Sequence, residues 1–232
     1  VKQGLFEESS TQQGNVGAER RLEDGRAFRY AYFAAATNRG LLVSTDVSAT
    51  SVVEVDGKCT GASAAATEVT ITDSTTLGSA TADQYSGAYL HITDDAGEGH
   101  QYRIKGNTAA SSNAVDFTLY DGLLVAITSA TDWAITGYPY NSVRGATAGT
   151  DYIVSGVTVM SVTANYYAWV QTRGIATILS DGAIALGANL TLSDGVAGAV
   201  QLKDAETEPL VGFACFASDD TGHVGVKLYG LD

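Results

Sequence analysis

The chain has few of the residues from which most enzyme centres and metal sites are built. Its 232 residues include three histidines, two cysteines and one methionine. The imidazoles are His91, His100 and His223, and the sequence contains no Gly-x-Ser-x-Gly elbow, no His-Glu-x-x-His pair and no P-loop. A hydrolase triad needs a nucleophile, a base and an orienting acid. The sequence therefore predicts a protein that is not an enzyme and that has no metal ion or cofactor.

The two cysteines carry little information about function. Cys59 and Cys215 are far apart and match no metal or redox spacing. We predict two buried or half-buried free thiols, with a disulfide between them as the alternative. A chain of this kind suits synthesis in a reducing cytoplasm.

Lysine and arginine are scarce beyond the N-terminal region. The chain has 13 Lys and Arg against 26 Asp and Glu, a formal net charge of −13. Nucleic acids and anionic membrane surfaces both attract cationic proteins, so this balance disfavours both as partners. No apolar run approaches the roughly 20 residues that a membrane-spanning helix needs. We therefore expect no nucleic acid and no membrane among the partners.

The abundant residues favour strands and turns over helices. The chain has 26 Gly and many Thr and Val, and alternating apolar and polar segments are separated by Asp-Gly and related turn signals. The predicted fold is all-β, with an extended N-terminal arm (1–40), a β-sandwich or barrel-like body (41–145) and a small C-terminal β-barrel (146–232). The predicted strands of the body are 51–55, 68–72, 88–93, 101–105, 115–120 and 133–136. Those of the C-terminal section are 152–162, 166–172, 175–179, 189–192, 199–203, 211–217 and 224–229.

Residues 19–32 concentrate the cations and aromatics that the rest of the chain lacks. Residues 1–39 hold six Lys and Arg and five acids, a charge of +1, which leaves −14 for the remainder. Arg, Tyr and Phe supply much of the binding energy at protein interfaces. We therefore predict an attachment arm that is mobile until it docks. The predicted partner-binding residues are Arg20, Arg21, Asp24, Arg26, Phe28, Arg29, Tyr30 and Tyr32.

A plainer interpretation of the arm stays open. Phe28, Tyr30 and Tyr32 alternate along the chain, as they would in the first strand of the body with the arginines solvated. The two interpretations are compatible if that strand lies at an interface.

An acidic turn and an aromatic strand are the remaining candidate sites. Asp94, Asp95 and Glu98 stand among glycines in a predicted hairpin loop, where hard oxygen ligands suit calcium. Their spacing departs from the twelve-residue calcium loop, so a plain acidic turn is the preferred interpretation. The strand around residues 166–169 has more clustered aromatic residues than the interior of a small barrel needs. This excess predicts that the strand forms the subunit interface of a homotrimer. The predicted interface residues are Tyr166, Tyr167 and Trp169.

Three blocks of the sequence resemble virion structural proteins of tailed bacteriophages. They are residues 19–30 (ERRLEDGRAFRY), 97–104 (GEGHQYRI) and 168–174 (AWVQTRG). The likeness is to capsid decoration, or cement, proteins. It implies trimers on the outside of the head that bridge neighbouring capsomers, with the major capsid protein and further copies of the chain as partners. It also implies synthesis in the host cytoplasm, a place on the outer surface of the virion and no catalytic residues.

Two other functions remain as alternatives. A receptor-binding or tail-associated adhesion module that recognises surface glycan would need an exposed aromatic platform on the body. A glycan-cleaving virion enzyme would need two carboxylates that face each other across a cleft.

Overall fold

The computed structural model describes residues 2–45, 52–55, 59–72, 77–78, 80–149 and 154–231. Within these ranges the chain forms strands and turns and no helix, as the composition predicts, so no helix there could cross a membrane. The strands are β1 (Glu19–Arg21), β2 (Ala27–Phe33), β3 (Leu42–Thr45), β4 (Val52–Val55), β5 (Glu68–Thr72), β6 (Tyr89–Asp94), β7 (Gln101–Asn107), β8 (Ala114–Leu119), β9 (Asp132–Thr136), β10 (Val143–Gly145), β11 (Val154–Thr158), β12 (Tyr166–Leu179), β13 (Asn189–Leu192), β14 (Val200–Leu202), β15 (Gly212–Ala214) and β16 (His223–Leu228).

The strands belong to two compact units. The first unit combines Val1–Asp46 with Pro139–Asp232, and the second is Val47–Tyr138. This division corrects the predicted sections, because residues 1–40 share a unit with 146–232 instead of forming a separate arm. The physical reason is that β2 pairs along its length with β12, far along the chain. Nothing in the local sequence of β2 signals a partner so distant.

A closed five-stranded barrel lies in the first unit. Its strands follow the order β2, β10, β3, β11 and β12, and β12 pairs back to β2. In the antiparallel β2–β12 pair, Trp169 lies opposite Tyr30. Phe33, Val43 and Val143 are fully buried. A barrel is therefore present as predicted, but three of its five strands, β2, β3 and β10, lie before the predicted boundary at residue 146.

Strand β12 is 14 residues long and pairs with three strands, β11, β2 and β16. Up to Arg173 it pairs with β2, and from Gly174 onwards it pairs with β16. The register shifts between Gln171 and Arg173, and Gly174 has a φ of 88°. A Cβ at Gly174 would lie 2.8 Å from Cγ of Arg26, so only glycine fits without displacement. This bulge lets one strand leave the barrel and start the C-terminal sheet.

The C-terminal sheet continues from β12 through β16, β15 and β13 to β14. A backbone bridge between Ser180 and Val200 brings β14 back towards the end of β12. The enclosed core is aliphatic, which fits the small, β-branched composition of this part of the chain. Its fully buried members include Ile178, Leu190, Val200, Val224 and Val226.

The second unit is a six-stranded antiparallel sheet in the order β4, β9, β6, β7, β8 and β5. Along β7, buried Tyr102 and Ile104 alternate with exposed neighbours, the pattern of a sheet with one covered face. Its core holds Trp133 and Phe117, both fully buried, and the Phe117 ring centroid lies 5.6 Å from that of Tyr85.

Candidate partner-binding site

The predicted attachment residues do not share one exposed surface. Phe28 and Tyr30 are fully buried, whereas Arg20 and Arg21 are exposed. Strand β2 has neighbours on both edges, and its Phe28 and Tyr30 side chains pack with Trp169 in one apolar cluster. This placement corrects the expectation that Phe28 and Tyr30 dock onto a partner and supports the plainer interpretation of β2 as a strand of the body.

Residues 2–18, which we call the N-terminal strap, contact this aromatic cluster. Buried Gln3 anchors the strap: its Nε2 donates to the carbonyl of Tyr167 (2.8 Å), and its Oε1 accepts from the hydroxyl of Tyr30 (2.7 Å). The indole Nε1 of Trp169 donates to the carbonyl of Gln3 (3.1 Å). Ser9 and Tyr167 exchange two backbone hydrogen bonds. The segment that composition predicts to be mobile is thus bonded to the barrel.

The strap also satisfies the polar atoms of the aromatics. Burial raises the pKa of the Tyr30 hydroxyl above its ordinary value. That hydroxyl donates to Gln3 and accepts from the backbone N–H of Gln13 (3.1 Å). A buried hydroxyl or indole N–H without a partner would be costly, so these bonds fix where the strap lies.

The predicted subunit interface is only partly available for contact. Trp169 is 2% exposed, and its ring meets Tyr30 edge-on at 5.3 Å. Tyr167 is half-buried and lies 5.0 Å from the ring of Tyr32, while Tyr166 is half-buried. Burial removes Trp169 from the predicted interface, because its large apolar surface is already covered within the chain.

The edge strand β1, which we call the β1 edge (Glu19–Arg21), is the exposed remainder of the predicted arm. All three residues are exposed, and within the described residues β1 pairs only with β2, at the end of its sheet. Glu19 forms ion pairs with Arg21 and with Arg29, the latter at 3.4 Å. Arg20 has no ion pair or hydrogen bond from its side chain in the part of the chain that the structure describes.

Three further members of the predicted set hold local structure. The carboxylate of Asp24 accepts from the backbone N–H of Arg26 (3.0 Å) and from its Nε (2.7 Å). These two bonds, the backbone one first, lower the pKa of Asp24. The hydroxyl of Tyr32 donates to Oδ1 of Asn165 (3.0 Å). Asp24 and Arg26 therefore close the β1–β2 turn, and Tyr32 joins β2 to the start of β12.

The acidic turn is held together by hydrogen bonds of its own. Oδ2 of Asp95 accepts from the hydroxyl of Thr128 (2.7 Å), and Oδ1 of Asp94 accepts from the backbone N–H of Asp95 (2.7 Å). Among the residues described, no three His, Cys, Asp or Glu side chains are grouped as a metal ion would require. The geometry supports the preferred interpretation of a plain acidic turn.

We expect Asp95→Asn to lower the thermal stability of the second unit at neutral pH. The hydroxyl of Thr128, followed by the backbone N–H of Ala96, lowers the pKa of Asp95 below its ordinary 3.8. A carboxylate with a lowered folded-state pKa stabilises the fold above the unfolded pKa, and this contribution disappears as pH falls through the folded pKa. Thermal unfolding followed by circular dichroism should show a deficit at pH 7 that shrinks at pH 3. The exposed Asp121→Asn serves as control, and an equal deficit for Asp95→Asn at both pH values would contradict the assignment.

The histidines of the second unit and both cysteines occupy structural positions. Nε2 of His91 lies 2.9 Å from the hydroxyl oxygen of Thr136, and Nδ1 of His100 lies 3.3 Å from that of Tyr102. Cys59 is buried and Cys215 half-buried, and both thiols are free, which confirms that prediction. Burial raises the pKa of the Cys59 thiol to about 11, so it is a poor nucleophile at neutral pH.

Exposed Tyr120 and half-buried Tyr138 of the second unit both contact Arg103, an arrangement that was not predicted from the sequence. The guanidinium of Arg103 lies 5.1 Å from the ring centroid of Tyr120 and 5.8 Å from that of Tyr138. Tyr120 is 54% exposed, and its backbone N–H donates to the carbonyl of Arg103. The three residues come from β7 and from the segments after β8 and β9. Only strand pairing brings them together.

No family model, curated protein or solved structure matches the chain. Function is therefore inferred from the residues and their geometry. Among the residues that the structure describes, the β1 edge and the Arg103–tyrosine group are two features that suit a macromolecular partner.

Proposed function

We propose that the protein is a non-enzymatic decoration, or cement, protein of a tailed-phage head, located on the outer surface of the shell. The supporting observation is the β1 edge, an exposed edge strand that carries Arg20 and Arg21 in a chain of net charge −13. An exposed edge can pair with an extended segment of another protein, and guanidinium groups bind carboxylates in a fixed geometry. The partner is the major capsid protein, bound through β1 and not through the aromatics of β2.

Bridging of capsomers requires more than one attachment point. A homotrimer supplies three β1 edges, and each engaged edge raises the effective concentration of the others, so weak individual contacts add up to firm attachment. Exposed apolar side chains for the contact between copies lie on the C-terminal part of the first unit. They include Phe216 and Tyr229, which are half exposed or more.

We expect the double substitution Arg20→Glu/Arg21→Glu to lower occupancy on undecorated heads by at least about tenfold. The change replaces two exposed charge attractions, each worth about 0.2–1 kcal/mol, by repulsions of similar size, and the loss is repeated at every attachment point. The measurement is cosedimentation of purified protein with heads of the cognate major capsid protein. Lys105→Glu/Lys203→Glu changes the net charge equally at positions away from β1 and is the matched control.

The outcome of this comparison decides the proposal. Occupancy that falls only for the Arg20 and Arg21 variant supports attachment through β1. Unchanged occupancy of that variant, or an equal fall for the control, overturns it. Because circular dichroism can verify that both variants fold, a loss of binding is not confused with a loss of structure.

Glycan adhesion is the second candidate function, and the Arg103–Tyr120–Tyr138 group, with exposed Tyr120, favours it. Aromatic faces with a nearby cation and hydrogen-bonding groups are suited to sugar rings, and this group lies on the unit outside the barrel. The same cosedimentation with whole host cells in place of heads separates the two functions. Binding to cells but not to heads would favour adhesion, and binding to heads but not to cells favours decoration.

A further inference from the structure

A groove of about 450 Å³ opens on the first unit. The strap contributes Phe6 to its lining, the residues before β3 contribute Arg39 and Gly40, and the start of β16 contributes His223. Arg26 and Ile175 also line the groove. None of the lining residues is acidic. In a chain with twice as many acids as Lys and Arg, this is a local excess of positive charge.

The basic groups of the groove have hydrogen-bonding capacity to spare. The side chains of Arg39 and His223 make no hydrogen bond or ion pair within the described ranges. Arg26 uses its Nε for Asp24, and its guanidinium lies 5.7 Å from the ring centroid of Phe28. Asp24 and Phe28 thus hold Arg26 in place while its two Nη groups remain for a ligand. A preorganised guanidinium loses little side-chain entropy when it binds a carboxylate.

Two apolar side chains stand beside these cations. Phe6 is 66% exposed and Ile175 is 60% exposed. An occupant that covered both would remove apolar surface from water and place charged groups near Arg39 and Arg26. The groove therefore suits a chain that combines carboxylates with apolar side chains.

We propose that this groove binds an acidic peptide segment of a partner protein, with its carboxylates on Arg39 and Arg26 and an apolar side chain between Phe6 and Ile175. The volume falls within the range of about 300–1,000 Å³ that is usual for ligand pockets and accommodates a short stretch of peptide. A nucleic acid would meet the repulsion of the remaining charge of the chain. The groove is a second contact that uses none of the three β1 edge residues, and the proposal stands or falls independently of the proposed attachment to a phage head.

The test uses the full chain and a fluorescein-labelled hexapeptide of alternating Glu and Leu, with binding measured by fluorescence anisotropy. We expect saturable binding that Arg39→Gln weakens by about fivefold or more, because it removes one charge-assisted contact. Lys105→Gln removes the same charge from an exposed position of the second unit and should leave the affinity unchanged. Phe6→Ala should weaken binding as well, since an apolar contact is lost.

Two controls decide between this ligand and simpler anions. A peptide with Gln in place of Glu should bind at least about fivefold more weakly, and inorganic phosphate at equal charge should fail to displace the acidic peptide. Absence of saturable binding, equal losses for Arg39→Gln and Lys105→Gln, or displacement by phosphate at equal charge would each overturn the proposal. Since Arg20 and Arg21 are intact in the Arg39 variant, its binding to heads reports on β1 separately.

Discussion

Deletion of residues 1–13 is expected to lower the free energy of unfolding of the first unit by about 3–5 kcal/mol. The strap packs Leu5 against the cluster of Tyr30 and Trp169, and Gln3 accepts hydrogen bonds from the Tyr30 hydroxyl and the Trp169 indole N–H. Burial of a large apolar side chain is worth about 1.5–3 kcal/mol and a hydrogen bond about 1 kcal/mol. For a unit of this size, each kcal/mol corresponds to a shift of about 2–4 °C in Tm.

Tryptophan fluorescence measures this directly. The chain has two tryptophans, Trp169 in the first unit and Trp133 in the second. In a Trp133→Phe background, removal of the strap should shift the Trp169 emission to longer wavelength and lower the Tm that it reports. The milder Gln3→Ala should give a smaller change in the same direction. An unchanged emission maximum would show that the strap does not cover Trp169.

This expectation changes how attachment should be tested. If residues 1–26 formed a free arm, deleting them would leave the body intact and remove only docking. The structure shows that such a deletion also removes β1 and the strap and uncovers buried aromatics. Point substitutions at Arg20 and Arg21 avoid this ambiguity.

Phe117→Ala is expected to lower the stability of the second unit by about 3–5 kcal/mol and to leave the first unit unaffected. Phe117 is fully buried on β8 beside Tyr85, and truncation of a buried phenylalanine leaves a cavity that the sheet cannot fill. Trp133 lies in the same core and reports the transition in a Trp169→Phe background.

Leu124→Ala is the matched control for this substitution. Leu124 belongs to the same unit and is 72% exposed, so its truncation should change the Tm little. If Phe117→Ala lowered the transition of Trp169 as much as that of Trp133, the two units would not unfold independently and the expectation would be wrong.

Local sequence patterns predict the strands of the second unit well. The predicted strands 68–72, 101–105 and 115–120 correspond to β5, β7 and β8 within two residues at each end. The reason is that these strands bury one face, so apolar and polar residues alternate along them. The alternation of apolar and polar residues is a local property that a single sequence carries.

Long-range pairing could not be predicted in the same way. The strand character of β2 was one of two open interpretations, but its pairing with β12 depends on residues more than a hundred positions away. The strap is polar and looks mobile, yet the hydrogen bonds of Gln3 to Tyr167 and Tyr30 hold it. Arg39 and His223 both line the groove although they are far apart in the sequence, because strand pairing brings them together. Sites of this kind depend on the strand topology, which cannot be read from local composition.

The position of the second unit within the chain sets an order of events during translation. The second unit is one continuous segment, so all of it has been made once Tyr138 leaves the ribosome. The barrel needs β12, and until Tyr166–Leu179 emerges β2 lacks its longest partner strand and exposes Phe28 and Tyr30. The strap has no Tyr167 to bind before that moment. We therefore expect the residues synthesised first to be among the last to reach their native positions, and the nascent chain to be most prone to aggregation in that interval.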